Sequence, residues 1–298
     1  MPSTTDSPSE PRAGQDGPAD PPGHQEESEG TVEVGGVEKR LEEELHEEFE
    51  NTVEEGEERL KRTTRALVVT GLFGGIDVGL GIMAMLAVKD ATGSPLLAGL
   101  AFGVGLLALR LAHSELFTED FMLPVNAVLA GHGTFLQLLR LWAVTLVTNL
   151  AGGWLFMWLV VYGFPEYVDD LSKTALEYVS AGFTLETVCL ALLAGSTITL
   201  MTRMSQGASS DVMTAIISFI GGLLVVGLQM HHGALSSILV FGAMEAGAPI
   251  SVGAWFGWFW WVTLLNMVGG MLIMTAPRIV RTWELVRDER ARRGARHA

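Results

Sequence analysis

One cysteine, Cys189, stands alone in 298 residues, inside an apolar run. A single thiol excludes an internal disulfide and a cysteine-based metal cluster. The first 30 residues lack any apolar core, so no secretory signal peptide is visible there. They are mostly Pro, Ser, Gly, Asp and Glu, and with almost nothing to bury they read as disordered. Charge is missing from the middle of the chain: residues 66–277 carry only 12 acidic and 5 basic side chains. So low a density, roughly one charge in twelve residues, excludes an ordinary soluble domain. That block also lacks a nucleophile–base pair, a metal-ligand set and a phosphate loop. Neither an enzyme nor a cofactor is expected.

The charge that is present is segregated. Residues 1–65 hold 19 acidic and 7 basic groups, while the last 21 residues hold 3 acidic groups and 7 arginines. So acidic an arm argues against a nucleic-acid partner. With a mean hydropathy of +0.35, the pattern is that of an all-α integral membrane protein whose partners are the lipid bilayer and a small solute. Four segments follow: a disordered acidic arm (1–36), a cytoplasmic amphipathic helix (37–64), a six-span channel domain (65–277) and a basic cytoplasmic tail (278–298). In the second, Val37, Leu41, Leu45, Phe49 and Val53 recur every fourth residue, an apolar stripe that drifts around the helix.

A membrane span needs roughly 20 apolar residues. Ala66–Val88, Phe135–Tyr162 and Val252–Ala276 meet that length, and Thr187–Met201 forms the core of another span. Leu96–Gly131 and Val212–Gly242 are 36 and 31 residues long, too long for one helix and too short for two. Each has a polar knot inside it, His113-Ser114-Glu115 and Gln229-Met230-His231-His232. One span per stretch, broken at mid-membrane, accommodates both, because irregular backbone survives at that depth only where it lines a cavity or is buried in protein. Six spans place both termini on one side, and arginines flanking the first and last span make that side cytoplasmic. The two halves repeat in inverted orientation, an aquaporin-like plan with helices 2 and 5 broken and a substrate site between them. Half-helix N-termini at the breaks favour an anion.

The run from Phe102 to Thr118 resembles the broken second helix of the formate/nitrite transporter family, whose signature is matched by Ser114-Glu115-Leu116-Phe117-Thr118. The resemblance covers roughly residues 60–280. It implies a homopentamer in the plasma (cytoplasmic or inner) membrane, each protomer with its own pore for small monovalent weak acids, possible proton coupling, and a central histidine between two apolar constrictions. Carried over, Phe102, Leu106, Leu116 and Phe117 resemble constriction residues, and Thr118 the threonine that touches substrate. An ungapped match of the fifth helix puts Met230 at the central position, with Gln229 before it; a shift of one residue brings in His231. The sequence departs from the family at Arg110 and His113. Arg110 either pairs with Asp77 or lends positive potential to the path. Glu115 is expected to be structural, accepting free N–H groups at the break. Trp255, Trp258, Trp260 and Trp261 read as lipid and interface packing. Other readings are an aquaporin-like channel for a neutral or cationic solute, and a membrane scaffold or sensor with a vestigial pore.

Overall fold

The computed structural model describes residues 27–297, and every regular element in that range is helical. Of the arm expected to be disordered, residues 1–36, the first 26 lie outside the described residues, whereas 27–36 are helical. Helix α1 (Glu27–Lys61) begins before the apolar stripe does. The chain divides within it into two units, one ending at Glu44 and one running from Leu45. In the first, Lys39 pairs with Glu43 on an exposed face. All that follows concerns the second.

Helix α2 (Thr64–Thr92) starts where the Thr63 hydroxyl accepts the Ala66 N–H, and ends at Gly93 in the left-handed conformation that glycine adopts without a Cβ penalty. Among the described residues it is one of four helices long and apolar enough to cross a membrane. The others are α5 (Phe135–Gly163), α7 (Leu185–Gln206) and the run Val252–Arg281, which joins α10 (Val252–Val268) through a π-helical stretch, Gly269–Thr275, to α11 (Ala276–Arg281). Between them lie two interrupted pairs: α3 (Pro95–Leu111) with α4 (Leu123–Leu129), and α8 (Asp211–Val225) with α9 (Gly233–Glu245). The acidic segment 163–186 carries α6 (Val168–Ser180), whose Leu171, Ala175 and Tyr178 are buried at helical spacing. Helix α12 (Trp283–His297) closes the described chain.

The two halves repeat one another closely. Counting forward 116 residues takes the Ser94 cap of α3 to the Ser210 cap of α8. The same step takes Gly131 (φ 85°) to Gly247 (φ 86°), and His113 (φ 54°) to Gln229 (φ 53°). Left-handed backbone at a residue with a Cβ costs of order 1 kcal/mol or more, and here it occurs twice at equivalent places. The repeat therefore aligns Glu115 with His231, not with Met230 as the polar knots suggest.

Candidate functional site

Each interruption leaves backbone groups without helical partners, and one buried asparagine gathers them. Asn149 on α5 donates through Nδ2 to the carbonyls of Glu115 and Gly71, both at 2.8 Å, and its Oδ1 accepts the Phe117 N–H at 2.9 Å. Asn266 on α10 does the same in the second half. It donates to the carbonyls of His231 (2.9 Å) and Ala191 (2.8 Å) and accepts the Gly233 N–H at 2.7 Å. Both side chains are essentially fully buried. Glycine makes room for them: a Cβ on Gly75 would strike the Asn149 carbonyl, and one on Gly195 the Asn266 carbonyl. Glu115 thus does not accept the free N–H groups; Asn149 does. The two breaks also meet equivalent places on their neighbouring helices. Glu115 N–H reaches Thr70 O, only six residues into α2, and Ala191 is six residues into α7. At 1.5 Å per residue each break sits about 9 Å along its neighbouring helix from that helix's start.

The Glu115 carboxylate turns to α1 instead. Arg59 Nη1 donates to Glu115 Oε1 (3.0 Å) and Asp120 Oδ1 (2.9 Å), its Nη2 to Glu55 (2.8 Å), and Arg62 pairs with the other Glu115 oxygen. Burial opposes the charge on Arg59, but the carboxylates of Asp120, Glu55 and Glu119 raise its pKa and keep it cationic. A second polar cluster ties α1 to α12: His132 lies 3.0 Å from both Glu57 and Glu289, and Arg293 donates to Glu57 at 2.7 Å. Burial acts to raise the Glu57 pKa, and the hydrogen bonds from Arg293, Lys61 and His132 outweigh it, holding the group down at about 2.

At the equivalent place in the second half the chemistry is aromatic. His231 Nδ1 accepts the Trp258 indole N–H at 3.2 Å, and its ring packs on Tyr178 at 5.3 Å and on Trp261 at 6.5 Å. Trp258 and Trp261 are accordingly buried structural residues, and Trp255 donates to Ser237; of these four α10 tryptophans Trp260 alone is broadly exposed.

Phe102, Leu106, Leu116 and Met230 share one buried cluster, joined by Leu109, Val226 and Leu235. Phe117 does not join it; it packs edge-on against Phe121 (5.1 Å) beside Trp142, in a separate cluster. Arg110 pairs with Glu119 at 2.8 Å, not with Asp77. Asp77 faces Ser114, and its Oδ2 has no partner among the described residues. His113 and Gln229 are exposed turn residues. The residue missed by sequence reasoning is His232. Its Nδ1 caps α9 by accepting the Leu235 N–H at 3.2 Å, and its Nε2 is buried without a partner among the described residues. It aligns with Leu116 in the internal repeat and sits between Met230 and Leu235, both in the Phe102 cluster. Thr118 Oγ1 is likewise buried and unpartnered.

The formate/nitrite transporter family model matches residues 46–280. The chain belongs to the formate/nitrite transporter family. Membership makes it an integral membrane protein of transport, a channel or transporter and not an enzyme. Within the family it is similar to the inner membrane protein YfdC of Escherichia coli (strain K12), with 24% identity over 234 residues, 74% of this chain and 72% of that one. Two solved structures share the fold. An FNT family ion channel aligns with a TM-score of 0.74 at 19% identity, over 79% of this chain and 99% of its own. A pentameric formate channel with formate bound aligns with a TM-score of 0.59 at 17% identity, over 75% of this chain and 96% of its own.

Proposed function

We propose that this formate/nitrite transporter passes small monovalent weak acids of the formate type through a path within each protomer, that five protomers assemble, and that six spans cross the inner membrane with both termini cytoplasmic. In this reading the broken helices are spans two and five. The observation that carries it is His232: a buried imidazole with one nitrogen committed and one free, set among apolar side chains. Because Nδ1 accepts a backbone N–H, the neutral ring holds its proton on Nε2. That N–H is a donor waiting for an acceptor, which a carboxylate or nitrite oxygen supplies.

The apolar cluster of Phe102, Leu106, Leu116 and Met230, which also holds Leu235 three residues after His232, discourages a bare ion, since desolvating an unpaired charge is costly. An anion that accepts a hydrogen bond from His232 Nε2–H has its charge spread while it crosses. In this reading a proton that accompanies the anion is taken from solution, where the acid form is in equilibrium with it. Thr118, with its own free hydroxyl, is the second polar contact. His231 serves as packing in the Trp258 pocket, and Phe117 as packing for the first break. Arg110 and Glu119 neutralise one another, so neither presents a net charge to the path.

The formate-bound pentamer among the structural neighbours and the inner-membrane relative support substrate class, assembly and location. Purified protein in proteoliposomes should pass formate or nitrite faster than formamide, a neutral solute of similar size, with a rate that rises as the outside pH falls toward the acid form. Equal rates for the neutral amide and the acid would favour an aquaporin-like channel instead. A native mass other than five protomers would remove the pentamer.

A further inference from the structure

We propose that the molecule binds an anionic phospholipid headgroup between the end of α7, the start of α8 and α11. A cavity of about 600 Å³ opens there, lined by Arg203, Arg278 and Arg281 over a floor that includes Leu200, Met204 and Met213. Positive charge is in excess. Arg203 and Arg278 are near enough to repel one another, and Glu48, which pairs with Arg203, is the one acidic residue lining the cavity. Arg278 donates one bond to the Met274 carbonyl, and Arg281 has no ion-pair partner among the described residues. Converging guanidinium groups of this kind suit a phosphate, which they bind by charge-assisted, forked hydrogen bonds.

The surroundings select a lipid over a free anion. From the cavity an exposed apolar stripe runs along α8 through Met213, Ile216 and Ile220, between 43% and 47% exposed at spacings of three and four residues. Leu193 and Met204 on α7 are exposed to a similar degree. A cationic mouth leading onto an apolar stripe matches a phosphodiester with its acyl chains, and basic pockets between helices on the cytoplasmic side favour acidic lipids. This proposal rests on the cytoplasmic assignment of these helix ends made above.

The test is native mass spectrometry of the full-length oligomer in detergent with added phosphatidylglycerol, phosphatidylcholine of equal chain length, or inorganic phosphate. Phosphatidylglycerol should be retained in preference to phosphatidylcholine. Arg278→Gln with Arg281→Gln should weaken that retention about thirtyfold, at about 1 kcal/mol for each arginine. The paired Lys variants should keep most of it, which separates lost charge from lost folding. Equal retention of both lipids, undiminished retention in the Gln variant, or displacement by inorganic phosphate would overturn the proposal. So would an image of the lipid-free oligomer in which a second copy covers Met213, Ile216 and Ile220. Retention is read without flux, so a failure of the anion-transport reading leaves this result interpretable.

Discussion

Replacing Asn266 by leucine keeps side-chain volume and deletes three hydrogen bonds, those to the carbonyls of Ala191 and His231 and from the N–H of Gly233. Two magnitudes bracket the cost. Interhelical hydrogen bonds in membranes average about 0.6 kcal/mol each, which for three gives a floor of about 2 kcal/mol. If none of the three stranded groups finds water or another partner, each costs about 1–3 kcal/mol, for a ceiling of about 9 kcal/mol. The side chain is 1% exposed and its neighbour Gly195 leaves no slack for repacking, so the upper half of the range is expected. Asn149→Leu should cost nearly the same, because it deletes the matching three bonds. Thermal unfolding of the detergent-solubilised oligomer, followed by intrinsic fluorescence and by size-exclusion recovery, measures both. An Asn266→Leu protein of unchanged stability, or two variants differing by most of the range, would refute the bracket as the device that holds the breaks.

Three further outcomes are expected. Arg110→Leu should destabilise by about 3–5 kcal/mol by stranding Glu119, and adding Glu119→Leu should recover most of that in the same unfolding assay; recovery by Asp77→Leu instead would mean that the pair is drawn wrongly. The Glu57 carboxyl titrates lower in the folded protein than the ordinary 4.5, so its contribution is complete above that value and fades as pH falls toward about 2. Hydrogen-exchange protection of residues 283–295, taken relative to the intrinsic rate at each pH, should therefore fall across that window, and Glu57→Gln should flatten the response. Gln229→Gly should be neutral or stabilising by up to about 1 kcal/mol, because glycine accepts φ near +53° without strain, whereas Gln229→Val should destabilise; the reverse order in melting temperature would contradict the turn assignment.

Much of the scaffold is visible in the chain as text. Hydropathy marks α2, α5, α7 and α10 because a span must be apolar along most of its length, and Glu115-Leu116-Phe117-Thr118 marks the first break because a charged residue inside an apolar run is rare. Asn149 and Asn266 escape notice because a lone polar residue in a span creates no periodicity. Their separation of 117 residues, against 116 between Glu115 and His231, is the signal that could have found them. The same count pairs Glu115 with His231 instead of Met230, and sets His232 opposite the expected constriction residue Leu116. Arg59 hides for another reason: beside Glu55 it looks like an ordinary helical ion pair, and only the fold brings Glu115 and Asp120 to its other side. Arg110 was matched to the wrong acid because distance along two spans does not say which way a long side chain turns.

The most direct test of the account is formate flux into proteoliposomes made with the unaltered protein, with His232→Ala and with His231→Ala, each checked for intact oligomer. The unaltered protein should pass formate. His232→Ala should lose most of that flux and its dependence on pH, while His231→Ala, which changes only packing beside Trp258, should keep both. Flux that survives His232→Ala but disappears in His231→Ala would contradict the account at its centre.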